Sequence, residues 1–227
     1  MKRSTGSHEC LSAMAKNRRM PIADEGWIFI LPFAIATAVF IAVEWTGAGV
    51  ITLALALFVL SFFRDPDRVI PKGRGAVVSP ADGKVVVVKN IYEPDYLKRN
   101  MKQISIFLSV FNVHVNRAPI EGVVELVKYN PGTFHIASVD KASHENEQTA
   151  MVIANGKQEI LVKQIAGIIA RRIVCYARPG DTIRRGERYG LIRFGSRVDL
   201  FLPKDAVVTV KVGDRVKGGR DSIGVLK

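Results

Sequence analysis

Two uncharged apolar runs, Trp27 to Val43 and Gly47 to Phe63, are separated only by Glu44, Trp45 and Thr46. About 20 apolar residues span a bilayer and about 17 is near the lower limit, so each run is just long enough to cross as a helix. A pair this closely joined reads as a helical hairpin over 27–63, with both ends on one side. Lys16, Arg18 and Arg19 precede the first run, and Arg64, Arg68, Lys72 and Arg74 follow the second. This excess of positive charge predicts that both ends are cytoplasmic. The apolar stretch begins too late for a signal peptide, and no small-residue cleavage site follows it. The competing reading is a buried helical hairpin of a soluble domain, which would tolerate Pro32 and Glu44.

The polar, basic segment 1–26 precedes the hairpin, and the chain after it carries most of the charge. Residues 1–74 hold 9 basic and 6 acidic side chains, while residues 75–227 hold 24 and 15. A basic surface of this kind suits a polyanion, either nucleic acid or an anionic membrane, and the hairpin favours the membrane. Cys10 and Cys175 lie far apart, Cys10 in a polar stretch, so neither a disulfide framework nor a thiolate metal site is expected, and a reducing compartment fits. His8, His114, His135 and His144 show no metal-ligand spacing, which sets aside the zinc hydrolases.

From Pro66 onward short strands alternate with Gly, Pro and Asp, as in Ala76-Val-Val-Ser-Pro-Ala-Asp-Gly-Lys-Val-Val-Val-Val and Gln103-Ile-Ser-Ile-Phe-Leu-Ser-Val. Further strands are expected at 121–129, 148–154, 158–165, 171–177, 189–193, 197–202 and 206–212, so residues 64–227 read as a β-rich domain. Within it Gly180-Asp-Thr-Ile-Arg-Arg-Gly-Glu-Arg-Tyr-Gly-Leu-Ile recurs, with one inserted residue, from Gly213-Asp-Arg-Val-Lys-Gly-Gly onward. Such a repeat resembles the wrap of lipoyl and biotinyl carrier domains, which implies a barrel-sandwich element. The Met-Lys-Met tip that those carriers modify is missing, so a carrier role is disfavoured.

Three constellations interrupt the strands. Ser79-Pro-Ala-Asp-Gly-Lys places Asp82 in a turn, where an Asp-Gly turn is the plain reading. Phe107-Leu-Ser-Val-Phe-Asn-Val-His-Val-Asn-Arg-Ala-Pro places His114 in an alternating strand between Val113 and Val115, and a lone strand histidine is commonly structural. Arg193-Phe-Gly-Ser-Arg-Val-Asp-Leu-Phe-Leu-Pro holds Gly195-Ser196 between two apolar strands, a bulge or bend if read alone.

Taken in this order, together with Phe62-Phe-Arg-Asp-Pro, Asn146-Glu and Gly190-Leu-Ile-Arg-Phe-Gly-Ser, the motifs resemble those of phosphatidylserine decarboxylases, most closely the short microbial form. The resemblance implies an enzyme that makes phosphatidylethanolamine through a Schiff base with a self-generated pyruvoyl group. In that family the proenzyme cuts itself before the serine of a Gly-Ser pair, here Gly195-Ser196, to give a large chain 1–195 and a small chain 196–227 that stay associated. Ser196 would become the pyruvoyl group, the only cofactor implied, with neither metal nor pyridoxal phosphate. The residue types suit this chemistry, because glycine leaves the preceding carbonyl unshielded and a hydroxyl becomes a nucleophile once a base takes its proton. An ester formed by this shift would eliminate to dehydroalanine, which hydrolyses to the ketone and ammonia.

The resemblance assigns proton transfer to His114 and the orientation or activation of a base during self-cleavage to Asp82. One position departs from the pattern. Many members carry a second histidine three residues after the first, where this chain has Arg117. Either His114 serves both self-cleavage and turnover, or His135 or His144 assists. Asp199 lies nearby, but the resemblance gives it no role. The partners implied are an anionic phospholipid and the cytoplasmic membrane, not nucleic acid, and higher oligomers are left open. Two rivals remain, a decarboxylase of a related serine ether lipid and a non-enzymatic membrane-anchored carrier or adaptor. Self-cleavage predicts fragments of 195 and 32 residues, of about 21 kDa and about 3.5 kDa when the 25.0 kDa mass is scaled by length. Mass spectrometry of the purified protein checks this, and an intact chain with decarboxylase activity would refute it.

Overall fold

The structure, a computed structural model, describes residues 21–132, 146–156, 158–167, 172–193 and 195–227. They fall into two compact units, one comprising the described chain up to Leu60 with Arg64–Asp67, the other Ser61–Phe63 with Arg68–Lys227.

In the first unit a 3-10 turn, Asp24–Gly26, leads into helix α1 (Trp27–Ala42), and helix α2 follows at Thr46–Phe62. The chain reverses between them at Glu44, which takes a left-handed φ of 63°. Trp45 stacks on Phe40 across this reversal, with ring centroids 6.0 Å apart. Thr52 donates its hydroxyl proton to the Ala48 carbonyl at 2.9 Å, so its oxygen accepts from the Thr37 hydroxyl 3.0 Å away. Gly49 permits this approach, since a Cβ there would lie 3.3 Å from Ile41 Cγ1. Asp24–Ala42 is long and apolar enough to cross a membrane, whereas Thr46–Phe62 is apolar but shorter. At 1.5 Å per residue its 17 residues reach about 25 Å. Side chains on both helices are exposed, among them Ile28, Ile35, Ile41, Val50 and Ile51.

The second unit is β-rich. Its strands are β1 (Ala76–Val78), β2 (Gly83–Glu93), β3 (Arg99–Leu108), β4 (Val115–Arg117), β5 (Gly122–Asn130), β6 (Gln148–Asn155) and β7 (Gln158–Ala166). After these come β8 (Ile173–Cys175), β9 (Thr182–Ile183), β10 (Arg188–Ile192), β11 (Ser196–Pro203), β12 (Val207–Val208), β13 (Arg215–Val216) and β14 (Ser222–Val225). An eight-stranded sheet runs β13-β2-β3-β11-β7-β6-β5-β9, beside the three-stranded sheets β4-β10-β8 and β1-β14-β12. The strand expected at 206–212 shortens to Val207–Val208. His114 lies just ahead of β4 rather than within a strand, although its carbonyl accepts from Ile192 N–H at 3.3 Å and so adds one bond to the β4-β10 ladder.

Strand alternation sorts β11 into two faces. Val198, Leu200 and Leu202 join Ile104, Ile106, Leu108, Val162, Met151 and Ile153 in the main core. Burial of each such side chain contributes about 1.5–3 kcal/mol. Phe201, on the other face, packs with Met101, Ala150, Val152 and Leu161. That face also buries charge. Lys163 pairs with Glu93 at 3.2 Å and Asp95 at 3.3 Å, and its ammonium lies 5.0 Å from the centre of the Tyr96 ring.

The sequence repeat reappears as repeated geometry. Gly180 and Gly186 take left-handed φ values of 91° and 77°, and Gly213 and Gly219 take 103° and 73°. Gly180 N–H donates to Val124 O and Val124 N–H to Asp181 O, just as Gly213 N–H donates to Val85 O and Val85 N–H to Asp214 O. Each copy then pairs with a strand opening on a glycine, Gly122 of β5 or Gly83 of β2. A Cβ at either glycine would fall 2.2 Å from a backbone oxygen of the neighbouring strand, so no larger residue fits.

Burial alone would raise the Glu93 carboxyl pKa. The Leu97 and Tyr96 N–H groups and the Lys163 ammonium outweigh it and hold the group below its usual value. The resulting stabilisation is present above the ordinary glutamate value of about 4.3 and is lost as pH falls through the lower folded value. Glu93→Gln should therefore destabilise the protein by about 3 kcal/mol at neutral pH, and its deficit relative to wild type should shrink in acid. Melting temperatures from pH 3 to pH 7 check this.

Candidate active site

Three segments singled out from the sequence meet at one end of the eight-stranded sheet. Ser196, the first residue of β11, lies opposite Leu108 at the end of β3 and Ala166 at the end of β7. Asp82 immediately precedes β2, whose Lys84 pairs with Phe107 beside Leu108. The strand that follows His114 is tied to the Asp82 turn by Arg117 N–H, which donates to Pro80 O at 2.9 Å.

Ser196 is fully buried, and its Oγ has no hydrogen-bond partner among the described residues. Leaving such a hydroxyl unbonded costs about 1–3 kcal/mol, so the site stores free energy at this side chain. Gly195 before it has a φ of 70°, and a Cβ there would meet nothing within 4 Å. The left-handed backbone, not a lack of room, thus calls for glycine. The Gly195 carbonyl, which belongs to the Gly195–Ser196 peptide, accepts from Gly167 N–H at 3.1 Å.

His114 is buried, and its ring stacks on Phe62 with centroids 4.0 Å apart and planes 30° apart. Its Nδ1 lies 2.9 Å from the Asn112 carbonyl oxygen. Since that oxygen only accepts, Nδ1 carries the proton in the neutral ring and Nε2 holds the lone pair of a base.

Asp82 is held elsewhere. Its Oδ2 accepts from Arg68 Nη2 at 2.9 Å and its Oδ1 from Gly218 N–H at 2.7 Å, and neither oxygen bonds His114. Arg117, where the resemblance leads one to expect a second histidine, is buried, and its Nη1 donates to Gly186 O at 3.1 Å. Asp199 forms a fully buried bidentate pair with Arg197, at 2.9 Å through Nε and 3.2 Å through Nη2, and also accepts from Gln103. His135 and His144 lie outside the described residues. Among those described, no group of three or more His, Cys, Asp or Glu is arranged to hold a metal.

Two side chains that the sequence reading did not single out join the sheets here. Gln164 of β7 donates through Nε2 to Asn116 Oδ1 of β4 at 2.8 Å and lies 3.4 Å from Val174 O of β8. It passes over Gly190, where a Cβ would sit 3.0 Å from Nε2. Gln164 thereby links the ladder carrying Ser196 to the sheet that begins beside His114. Its signal in the sequence is the polar pair Lys163-Gln164 interrupting the apolar run from Ile160 to Ala166.

A model of the family described as Phosphatidylserine decarboxylase matches residues 55–224. The chain is also 49% identical over 213 residues to the phosphatidylserine decarboxylase proenzyme of Syntrophotalea carbinolica, a match covering 93% of this chain and 100% of that protein. The chain belongs to the phosphatidylserine decarboxylase family. Other phosphatidylserine decarboxylase proenzymes agree, that of Syntrophus aciditrophicus at 46% identity over 89% of this chain and 96% of its own, and that of Nitrosomonas europaea at 50% over 86% and 90%. Membership in the phosphatidylserine decarboxylase family makes the chain a lyase produced as a proenzyme. The match contains Asp82, His114, Gly195 and Ser196.

Gln164→Leu should lower stability by about 1–3 kcal/mol, because Asn116 Oδ1 is left buried without its donor. Denaturant unfolding checks this, and an unchanged midpoint would remove Gln164 as the link between the sheets.

Proposed function

We propose that the chain converts phosphatidylserine to phosphatidylethanolamine, using a pyruvoyl group that it makes from its own Ser196. The observation carrying this assignment to Ser196 is the buried, unbonded Oγ directly after a left-handed glycine whose carbonyl is already hydrogen-bonded. These residues fit a ketone at position 196, because that end of β11 stays held between β3 and β7 when the Gly195–Ser196 bond is cut. Such a ketone supplies an electrophilic carbonyl that takes up the electron pair left by departing carbon dioxide.

His114 is the residue we assign to proton transfer. Its Nδ1–H is committed to Asn112 O, which leaves Nε2 to take a proton from the Ser196 hydroxyl and, in turnover, to exchange one with the substrate carbon. Stacking on Phe62 holds the ring in that orientation. Asp82 acts from a distance. Bonded to Arg68 and to Gly218 N–H, it shapes the turn against which the strand after His114 is fastened.

The hairpin is read as the membrane anchor, with residues 64–227 as the catalytic domain on the cytoplasmic face. Exposed isoleucines and valines along both helices support this, since contact with water costs free energy that contact with lipid does not. The positive charge of residues 75–227 suits a domain working on anionic lipid. The recurrent left-handed glycines are what favours a barrel-sandwich likeness in the repeat.

Ser196→Ala should remain a single chain without activity. His114→Ala should remain uncut if His114 serves both steps, whereas normal cutting with slow turnover would move the cleavage base elsewhere. Asp82→Asn should accumulate precursor while lipid binding is kept. Intact-mass measurement with release of labelled carbon dioxide from phosphatidylserine vesicles checks all three, and normal cleavage with normal turnover in His114→Ala would remove it from the mechanism.

A further inference from the structure

The Asn146-Glu147 pair has no part in the chemistry above, yet it brackets the residue opposite Ser196. Asn146 Nδ2 donates to Ala166 O at 2.7 Å, and Ala166 N–H donates to Glu147 O at 2.9 Å. The carbonyl oxygen of Ala166 and the N–H of Gly167 belong to one planar peptide, so fixing the oxygen also fixes the direction of the N–H. That N–H is the group donating to Gly195 O at 3.1 Å. Asn146 is itself 1% exposed, and a carbonyl can only accept, so it is the amide NH2 that faces Ala166.

We propose that the Ala166–Gly167 peptide is the oxyanion donor for self-cleavage and that Asn146 is the positioning residue that aims and polarises it. This rests on the reading that Gly195–Ser196 is the bond cut. As Ser196 Oγ bonds to the Gly195 carbonyl carbon, the carbonyl π pair moves onto Gly195 O, where the Gly167 N–H meets the new charge. Collapse restores the carbonyl, breaks the C–N bond and leaves the Oγ proton on the freed amine of residue 196, with no other reactant required. A donor already aimed at the developing oxyanion needs no reorganisation during the reaction. The Asn146 hydrogen bond on the far side of the same peptide makes its N–H a stronger donor.

Removing one oxyanion donor costs roughly 10²–10³ in rate, and loosening it by removing its support should cost about tenfold or more. Asn146→Ala and Asn146→Asp are therefore expected to slow conversion of freshly made precursor to its two fragments by at least about tenfold at pH 8, followed by intact mass. The two variants should then part company with pH. A protonated aspartic acid regains a donor toward Ala166 O, so the Asn146→Asp rate relative to wild type should climb as pH falls toward 4, while the Asn146→Ala ratio stays flat. Added hydroxylamine, which cleaves an ester intermediate, should rescue neither variant, because the slowed step precedes the ester. The proposal is overturned if both variants cut at the wild-type rate, if the two pH ratios run parallel as a merely structural role would give, or if hydroxylamine restores cleavage. A wild-type chain that is not cut between Gly195 and Ser196 would instead overturn the underlying reading.

Discussion

The β11 ladder is the constraint from which the site follows. Held between β3 and β7, this strand has its register set along its length, with Ser196 opposite Leu108 and Ala166 and Leu200 opposite Ile104 and Val162. A slip of one residue would turn Val198, Leu200 and Leu202 out of the main core and push Arg197 and Asp199 into it. The hydrophobic pattern of the strand therefore decides on which face the Ser196 hydroxyl lies and which peptide faces Gly195. Because β11 is central, its position does not depend on an intact Gly195–Ser196 bond.

Around that rigid strand the site is built from groups under constraint. Gly195 takes a left-handed φ, the Ser196 hydroxyl is buried without a hydrogen bond among the described residues, and charged side chains on the opposite face are paired with one another. The charges are held by close partners, so their burial is offset. The serine hydroxyl has no such partner among the described residues, and the proposed self-cleavage would use a hydroxyl left unengaged at this place. Gln164 completes the arrangement by linking two sheets through its side-chain amide, which reaches Asn116 of β4 and Val174 of β8.

Much of the fold was legible from local pattern. The helix pair, the turn before β2, the strands β5, β6, β7 and β11 and the doubled Gly-Asp wrap all carry short-range signals, namely apolar run length, alternation and left-handed glycines. Where the local signal is weak, the structure departs from the pattern. His114 sits among alternating residues but lies just outside β4, with its ring held at the Asn112 carbonyl and the paired register with β10 starting only at Val115. The stretch expected at 206–212 contracts to two residues, since the paired register with β14 covers Val207 and Val208 and the last backbone bond to that strand is Thr209 N–H to Ile223 O.

The sequence by itself determined which residue types are available for the chemistry. Gly195 before Ser196, a histidine in a strand-like run and an aspartate in a tight turn are each read from a few neighbouring positions, and the family follows from their order. Only the tertiary structure decided who touches whom. Asp82 turns to Arg68 and Gly218 instead of the histidine, Arg117 bonds a carbonyl 69 residues away, and Asn146 reaches Ala166 to hold the peptide beside Gly195. The reason is physical. Alternation and turn propensity act over neighbouring residues, whereas these hydrogen bonds join groups brought together by the packing of separate strands, and each buried donor or acceptor takes the partner that this packing leaves within reach.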